Sequence, residues 1–170
     1  MKETLNVKKR TISVVVDNCA GVLARVSNLF SRRGFNIDSL AVGTTEKEEF
    51  SRITIVVKCD DDLLEQIVCQ LKKLECVYRV SVLNDEAMVT RELTLIKVNA
   101  TAENRSAVLE IADVFRAKVI DLSPDTITME ITGTGSKTDA IMTMLSDFGV
   151  VEVARTGLVA LDRGRSNIYG

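Results

Sequence analysis

One order of strands and helices is written into this chain twice, and that repeat limits the possible folds more than any other feature. Arg10 to Asp17 alternates, with Ile12, Val14 and Val16 on one face, and predicts a strand. Gly21 to Arg33 carries Val22, Leu23, Val26, Leu29 and Phe30 at helical spacing and stops at Gly34, a residue suited to helix termination. Asn36 to Thr44 and Phe50 to Cys59 read as strands joined by the charged turn Thr45 to Glu49. Asp61 to Leu74 reads as a helix with Leu64, Ile67, Val68 and Leu71 on its buried stripe, and Cys76 to Leu83 as a closing strand. The order is β-α-β-β-α-β.

The second half repeats it. Glu92 to Ala100 alternates as a strand, and Thr101 is suited to cap a helix running to Phe115, with Val108, Ile111, Ala112 and Phe115 on one stripe. Lys118 to Leu122 and Thr126 to Thr132 form a hairpin around Ser123-Pro124-Asp125. Ser136, with Asp139 at the third helical position, resembles a capping box opening a helix through Ile141, Met142 and Leu145. Val150 to Leu161 reads as one last strand.

Two such halves of about 80 residues predict an α+β protein of two ferredoxin-like domains, 9–84 and 89–163, split near Asn84 to Met88. Each would be an antiparallel sheet with both helices on one face. The other face then needs a partner or water, and units this small bury surface poorly alone, so an oligomer is expected. The tail Ser166 to Gly170 is expected to be mobile.

Composition narrows the chemistry. The chain has no histidine, and its four cysteines, at 19, 59, 69 and 76, form no C-x-x-C pair. Structural zinc needs closely spaced ligands, and most nucleophile–base pairs need His, so neither a metal nor a catalytic residue is expected. The net charge of −2 offers no excess of basic residues to neutralise phosphates, so no nucleic-acid partner is expected. Sheet aromatics that would stack bases are also missing from Ile12-Ser13-Val14 and Ser51 to Ile55. No apolar run approaches the roughly 18 residues of a membrane span. Met1 to Arg10 is basic but precedes no signal-type apolar core, so no membrane association and a cytoplasmic location are expected.

Two segments carry the candidate chemistry. Asp17-Asn18-Cys19-Ala20-Gly21 joins the first strand to the first helix, where free N–H groups and the positive end of the dipole suit a carboxylate. Gly21 lets backbone and ligand approach closely. Asn18 either caps the helix or offers its amide to the anion, and the residues alone leave both open. Asn36, within Arg33 to Asp38, is either a turn residue or a second polar contact for an α-amino acid. Gly133 to Thr138 imitates a phosphate loop, but Ser136 precedes Lys137 where such a loop needs Gly. Arg91-Glu92 and Val151 to Gly157 set charges among apolar neighbours, either as a solvated face or as a docking surface.

Asp17 to Val26, followed by Phe30-Ser31-Arg32-Arg33-Gly34-Phe35-Asn36-Ile37-Asp38-Ser39-Leu40, resembles the ACT domain of acetohydroxyacid (acetolactate) synthase small subunits. The second half is similar too, through Arg91-Glu92-Leu93, Phe115-Arg116-Ala117 and Val151 to Gly157, so the likeness runs from about Lys9 to Arg163. The resemblance implies a homodimeric regulatory subunit that binds valine between paired ACT domains, activates a large catalytic subunit and mediates feedback inhibition. It places Asn18 and Gly21 on the effector from one protomer, Asn36 and Ile37 from the facing one, with backbone groups of Val22 and Leu23 contributing and Ala24 close by. Thiamine diphosphate, Mg²⁺ and FAD would belong to the catalytic subunit, and no cofactor to this chain. Cys19 stands where such loops more often carry a small polar or acidic residue. Competing readings are an ACT-type regulator of another enzyme, a small enzyme on this scaffold, and an RNA-binding module.

Overall fold

The structure, a computed structural model, describes residues 7–169. Its elements are β1 (Lys8–Asp17), α1 (Val22–Arg33), β2 (Ser39–Thr44), β3 (Phe50–Cys59), α2 (Asp61–Leu71), β4 (Val77–Leu83), β5 (Met88–Asn99), α3 (Arg105–Val114), β6 (Lys118–Leu122), β7 (Thr126–Gly133), α4 (Gly135–Leu145), β8 (Val150–Arg155) and β9 (Val159–Asp162). The first sheet has the order β2-β3-β1-β4 and the second runs β6-β7-β5-β8. Neighbours in both of these four-strand orders pair antiparallel, as the twofold β-α-β-β-α-β pattern predicts.

Contacts divide the chain into two compact units, one made of residues 7–89 with 158–169 and the other of Thr90–Gly157. In the first, Ile12, Val14 and Val16 of β1 meet Ile53, Ile55 and Val57 of β3 and the helix stripes Val22-Val26-Phe30 and Leu64-Ile67-Leu71. In the second, Ile96 and Val98 pack with Val108, Ala112, Met129, Ile131, Ile141 and Leu145. Burying each such side chain contributes about 1.5–3 kcal/mol. No described helix is long and apolar enough to cross a membrane.

Several local expectations are corrected. The run Val150 to Leu161 is two strands, because Gly157 takes φ 84° and turns the backbone between β8 and β9. The chain then leaves the second unit, so residues 158–163, expected in the C-terminal domain, pack with the first. There Leu158 N donates to Ser39 Oγ of β2 (2.9 Å), the Arg52 guanidinium of β3 to the Ala160 carbonyl (3.5 Å) and Arg79 of β4 to the Tyr169 carbonyl (2.6 Å). Ser39, Arg52 and Arg79 share the face of the first sheet opposite its helices, Ser39 in register with Val56 and both arginines with Val15. Residues 158–169 thus form a strap across that face, with its own Ala160 and Ile168 buried. Residues 166–169 of the tail expected to be mobile are therefore held, while Gly170 and the first six residues of the basic N-terminus lie outside the described residues.

Helix starts also differ. Asn104, not Thr101, is the N-cap of α3, and Thr101 Oγ1 bonds the Asn104 side chain instead. Thr134, not Ser136, precedes α4, and Asp139 pairs with Arg155 at 2.9 Å rather than closing a capping box. In the false phosphate loop, the Lys137 stem packs on Gly133 and its ammonium donates to the Thr132 carbonyl, which folds the charge back onto the chain.

Candidate functional site

Strand β1 ends at Asp17, and the loop to α1 is fastened from the side by the β2–β3 hairpin. Asn18 N donates to the Glu49 carbonyl (2.8 Å), its side-chain amide donates to the Glu48 carbonyl (2.9 Å), and its side-chain oxygen accepts from Ser51 Oγ (3.0 Å). Asn18 therefore does not cap the helix. It anchors the loop, and one N–H of its amide is left for a ligand. The partners lie some thirty residues downstream, so nothing local to the loop announces them.

Gly21 takes the N-cap position of α1 in the left-handed conformation (φ 83°), with open space where a Cβ would point. No side chain caps α1, and its first turn holds no acid. The Val22 amide makes only a long bond to the Cys19 carbonyl (3.5 Å), the Leu23 amide and the positive end of the dipole are uncompensated by any side chain, and the loop from Asp17 to Gly21 is exposed. A carboxylate placed there would gain hydrogen bonds and dipole attraction together. Val22 is buried in the core and Leu23 is exposed, so the apolar wall beside this cradle is Leu23 and Ala24.

At the other end of α1, Gly34 closes the helix with φ 68°, and Phe35 N bonds the Phe30 carbonyl at 3.0 Å. Asn36 and Ile37 follow in an extended loop; β2 begins only at Ser39, so Asn36 does not open the strand as its sequence suggests. Ile37 packs on the first core, whereas Asn36 is exposed and makes no side-chain hydrogen bond among the described residues. The structure groups Asn18, Gly21, Val22 and Leu23 at one end of α1 and Asn36 and Ile37 at the other. Twelve helical residues put about 18 Å between those ends. A single chain cannot wrap both around one amino acid.

Other polar groups play smaller parts. Arg91 is exposed and Glu92 is buried, with one carboxylate oxygen lacking a hydrogen-bond partner. Cys19 is exposed beside the cradle, while burial pushes the Cys59 thiol above its ordinary pKa. Among the described residues, no three His, Cys, Asp or Glu side chains converge as a metal ion would need.

Comparison with known proteins adds a second line of evidence. Residues 12–79 match the family model described as the AHAS small subunit-like ACT domain, and residues 91–164 match that of the small subunit of acetolactate synthase. The chain is similar to the acetolactate synthase small subunit of Mycobacterium bovis, at 52% identity over 95% of this chain and 96% of that one. It also resembles a probable acetolactate synthase small subunit of Archaeoglobus fulgidus, at 49% identity over 92% and 98% of the two chains. The crystal structure of the acetolactate synthase small subunit from Thermotoga maritima superposes with a TM-score of 0.86 at 41% identity, covering 94% of this chain and 99% of that one.

Proposed function

This chain belongs to the family of acetolactate synthase small subunits, regulatory subunits with an N-terminal ACT domain, and from that premise we propose that it senses valine at a site shared between two copies of itself. The observation that carries this reading is the uncapped, acid-free start of α1 at Gly21, with Asn18 fastened beside it and Asn36 set at the helix's far end. An isologous dimer that lays α1 antiparallel to its copy brings the Asn18 loop of one protomer to the partner subunit's Asn36. The helix start takes the carboxylate, the two asparagines take the amino group and the remaining carboxylate oxygen, and Leu23, Ala24 and Ile37 face the side chain.

The energies suit a metabolite sensor. Charge-assisted hydrogen bonds contribute roughly 1.5–3 kcal/mol each, and burying the valine side chain about 1.5–3 kcal/mol. Against an association cost of about 4–15 kcal/mol, the dissociation constant falls between ~1 μM and ~1 mM. One methylene is worth only about 1–3 kcal/mol, so isoleucine and leucine bind more weakly but measurably. A ligand that touches both protomers stabilises one dimer geometry over others, and that difference is what regulation requires. The chain then acts on a large catalytic subunit in the cytoplasm, raising its activity and transmitting feedback inhibition. The thiamine diphosphate, Mg²⁺ and FAD chemistry stays with that partner.

Calorimetric titration with valine, leucine and isoleucine, paired with reconstitution of the large subunit, tests the reading. Saturable valine binding, activation by the chain and inhibition on adding valine are expected. No heat and no thermal shift at several millimolar valine would contradict it.

A further inference from the structure

Beyond the effector cradle, α1 carries a second surface that the proposed function leaves unused. The helix VLARVSNLFSRR contains no acidic residue. Arg25, Arg32 and Arg33 line an open groove of about 380 Å³ with Gln70, over a floor of Leu29 and Leu74. Among the described residues the ion pairs engage Arg10, Lys58, Lys97, Lys118 and Arg155, and none of these three arginines. Arg33 donates to the Gln70 side-chain oxygen at 3.2 Å, which holds one guanidinium at the groove's edge. On a chain of net charge −2, an arginine-lined groove without a carboxylate partner is a local reversal of sign.

We propose that this groove docks an acidic segment of the large catalytic subunit, an inference that rests on the regulatory reading above. Arg25 and Arg32 lie two turns apart on one face of α1, about 10 Å along the axis, which matches two carboxylates two turns apart on a partner helix or similarly spaced along an extended segment. The arginines are exposed, and in water each attracts a small free anion only weakly. A protein segment that also covers Leu29 and Leu74 excludes water, and planar guanidinium groups then bind carboxylates in bidentate pairs. Arginine is enriched at such interfaces. The groove shares α1 with the effector cradle, so the same rigid helix reports ligand at its start and grips the partner further along.

The test compares full-length wild type with Arg25→Glu/Arg32→Glu and Arg25→Gln/Arg32→Gln, using the concentration that half-maximally activates the large subunit and sedimentation of the mixed subunits. The glutamine pair removes charge without adding repulsion and stands if the glutamate pair misfolds. At least a tenfold rise in that concentration is expected for the glutamine pair and a larger one for the glutamate pair. Wild-type association should weaken steeply with salt, and valine titration curves should match wild type. Variants that bind valine and activate like wild type would overturn the proposal. So would saturable binding of pyrophosphate by wild type that the variants lose while association holds, since the groove would then be a small-anion site. A wild-type chain that fails to activate the large subunit would remove the regulatory reading and this docking site together.

Discussion

Sheets β2-β3-β1-β4 and β6-β7-β5-β8 share a strand order, an antiparallel register and even a bulge between the first strand and the edge strand that closes each half, at Val15/Val16 and at Lys97/Val98. Their helix-free faces differ. On the first, Thr11, Ser13, Val15, Thr54 and Val56 are buried, and the strap of residues 158–169 bonds to β2, β3 and β4 in turn. On the second, Lys97 pairs with Glu152 at 3.3 Å and Lys118 with Glu130 at 3.9 Å, largely in solvent. The strand-to-helix loops differ as well. Both α1 and α3 start without a side-chain cap or an acid in the first turn. The first loop, however, ends in a left-handed Gly21, whereas the second ends at Asn104 and the Arg105 guanidinium ties it by donating to the carbonyls of Ala100, Ser123 and Pro124. The repeat duplicates a scaffold whose two halves differ in what covers the helix-free face and in the backbone conformation that opens the first helix.

That contrast can be broken at either end. Ile168→Ala, a buried residue of the strap, should lower stability by about 2–5 kcal/mol in urea unfolding; a value under about 1 kcal/mol would mean the strap merely rests on the sheet. The double variant Asn18→Ala/Asn36→Ala should weaken valine binding at least tenfold by calorimetry, since each lost charge-assisted bond is worth about 1.5–3 kcal/mol. Gly21→Ala meets no atom within 4 Å, so its cost should be the left-handed strain alone, about 1–2 kcal/mol of stability, and its methyl group should also hinder the carboxylate. Lys97→Ala on the open face should cost no more than about 1 kcal/mol.

The smallest effect is a pH dependence from Cys59 in the first half, which holds all four cysteines. Cys59 keeps its proton longer in the folded state, chiefly because it is buried, with Asp60 and Asp61 adding to the effect and Arg10 opposing it. Its contribution to stability is complete below the ordinary thiol value of 9.0 and is lost as pH rises through the folded value. Cys59→Val should remove that alkaline slope from the unfolding profile.

The sequence's periodicities made the scaffold legible, because burial on one face imposes a spacing of 3.6 or 2 wherever a helix or strand packs. Gly34 was readable for the same local reason. Helix caps were less so: Thr101 and Ser136 are good capping residues, but side-chain bonds to neighbours and the turn geometry shifted each start by a residue or more. The strap was hidden because Val150 to Leu161 reads as one mostly apolar, strand-like run despite Glu152 and Arg155, and the single break at Gly157 is a backbone event. Asn18's anchoring role was hidden too, since Glu48 and Ser51 reach it only through folding. The candidate residues were nameable from their chemistry, but their division between the two ends of α1 required the helix itself.

The division of the effector site between protomers is tested most directly by mixing Asn18→Ala protein with Asn36→Ala protein, exchanging subunits, and titrating valine. Neither variant alone should bind at wild-type affinity. If each site takes Asn18 from one chain and the partner subunit's Asn36, half the dimers in the mixture are mixed and each regains one intact site, so about a quarter of wild-type capacity should return at wild-type affinity. No recovery on mixing, with both variants still folded and dimeric, would contradict the shared site.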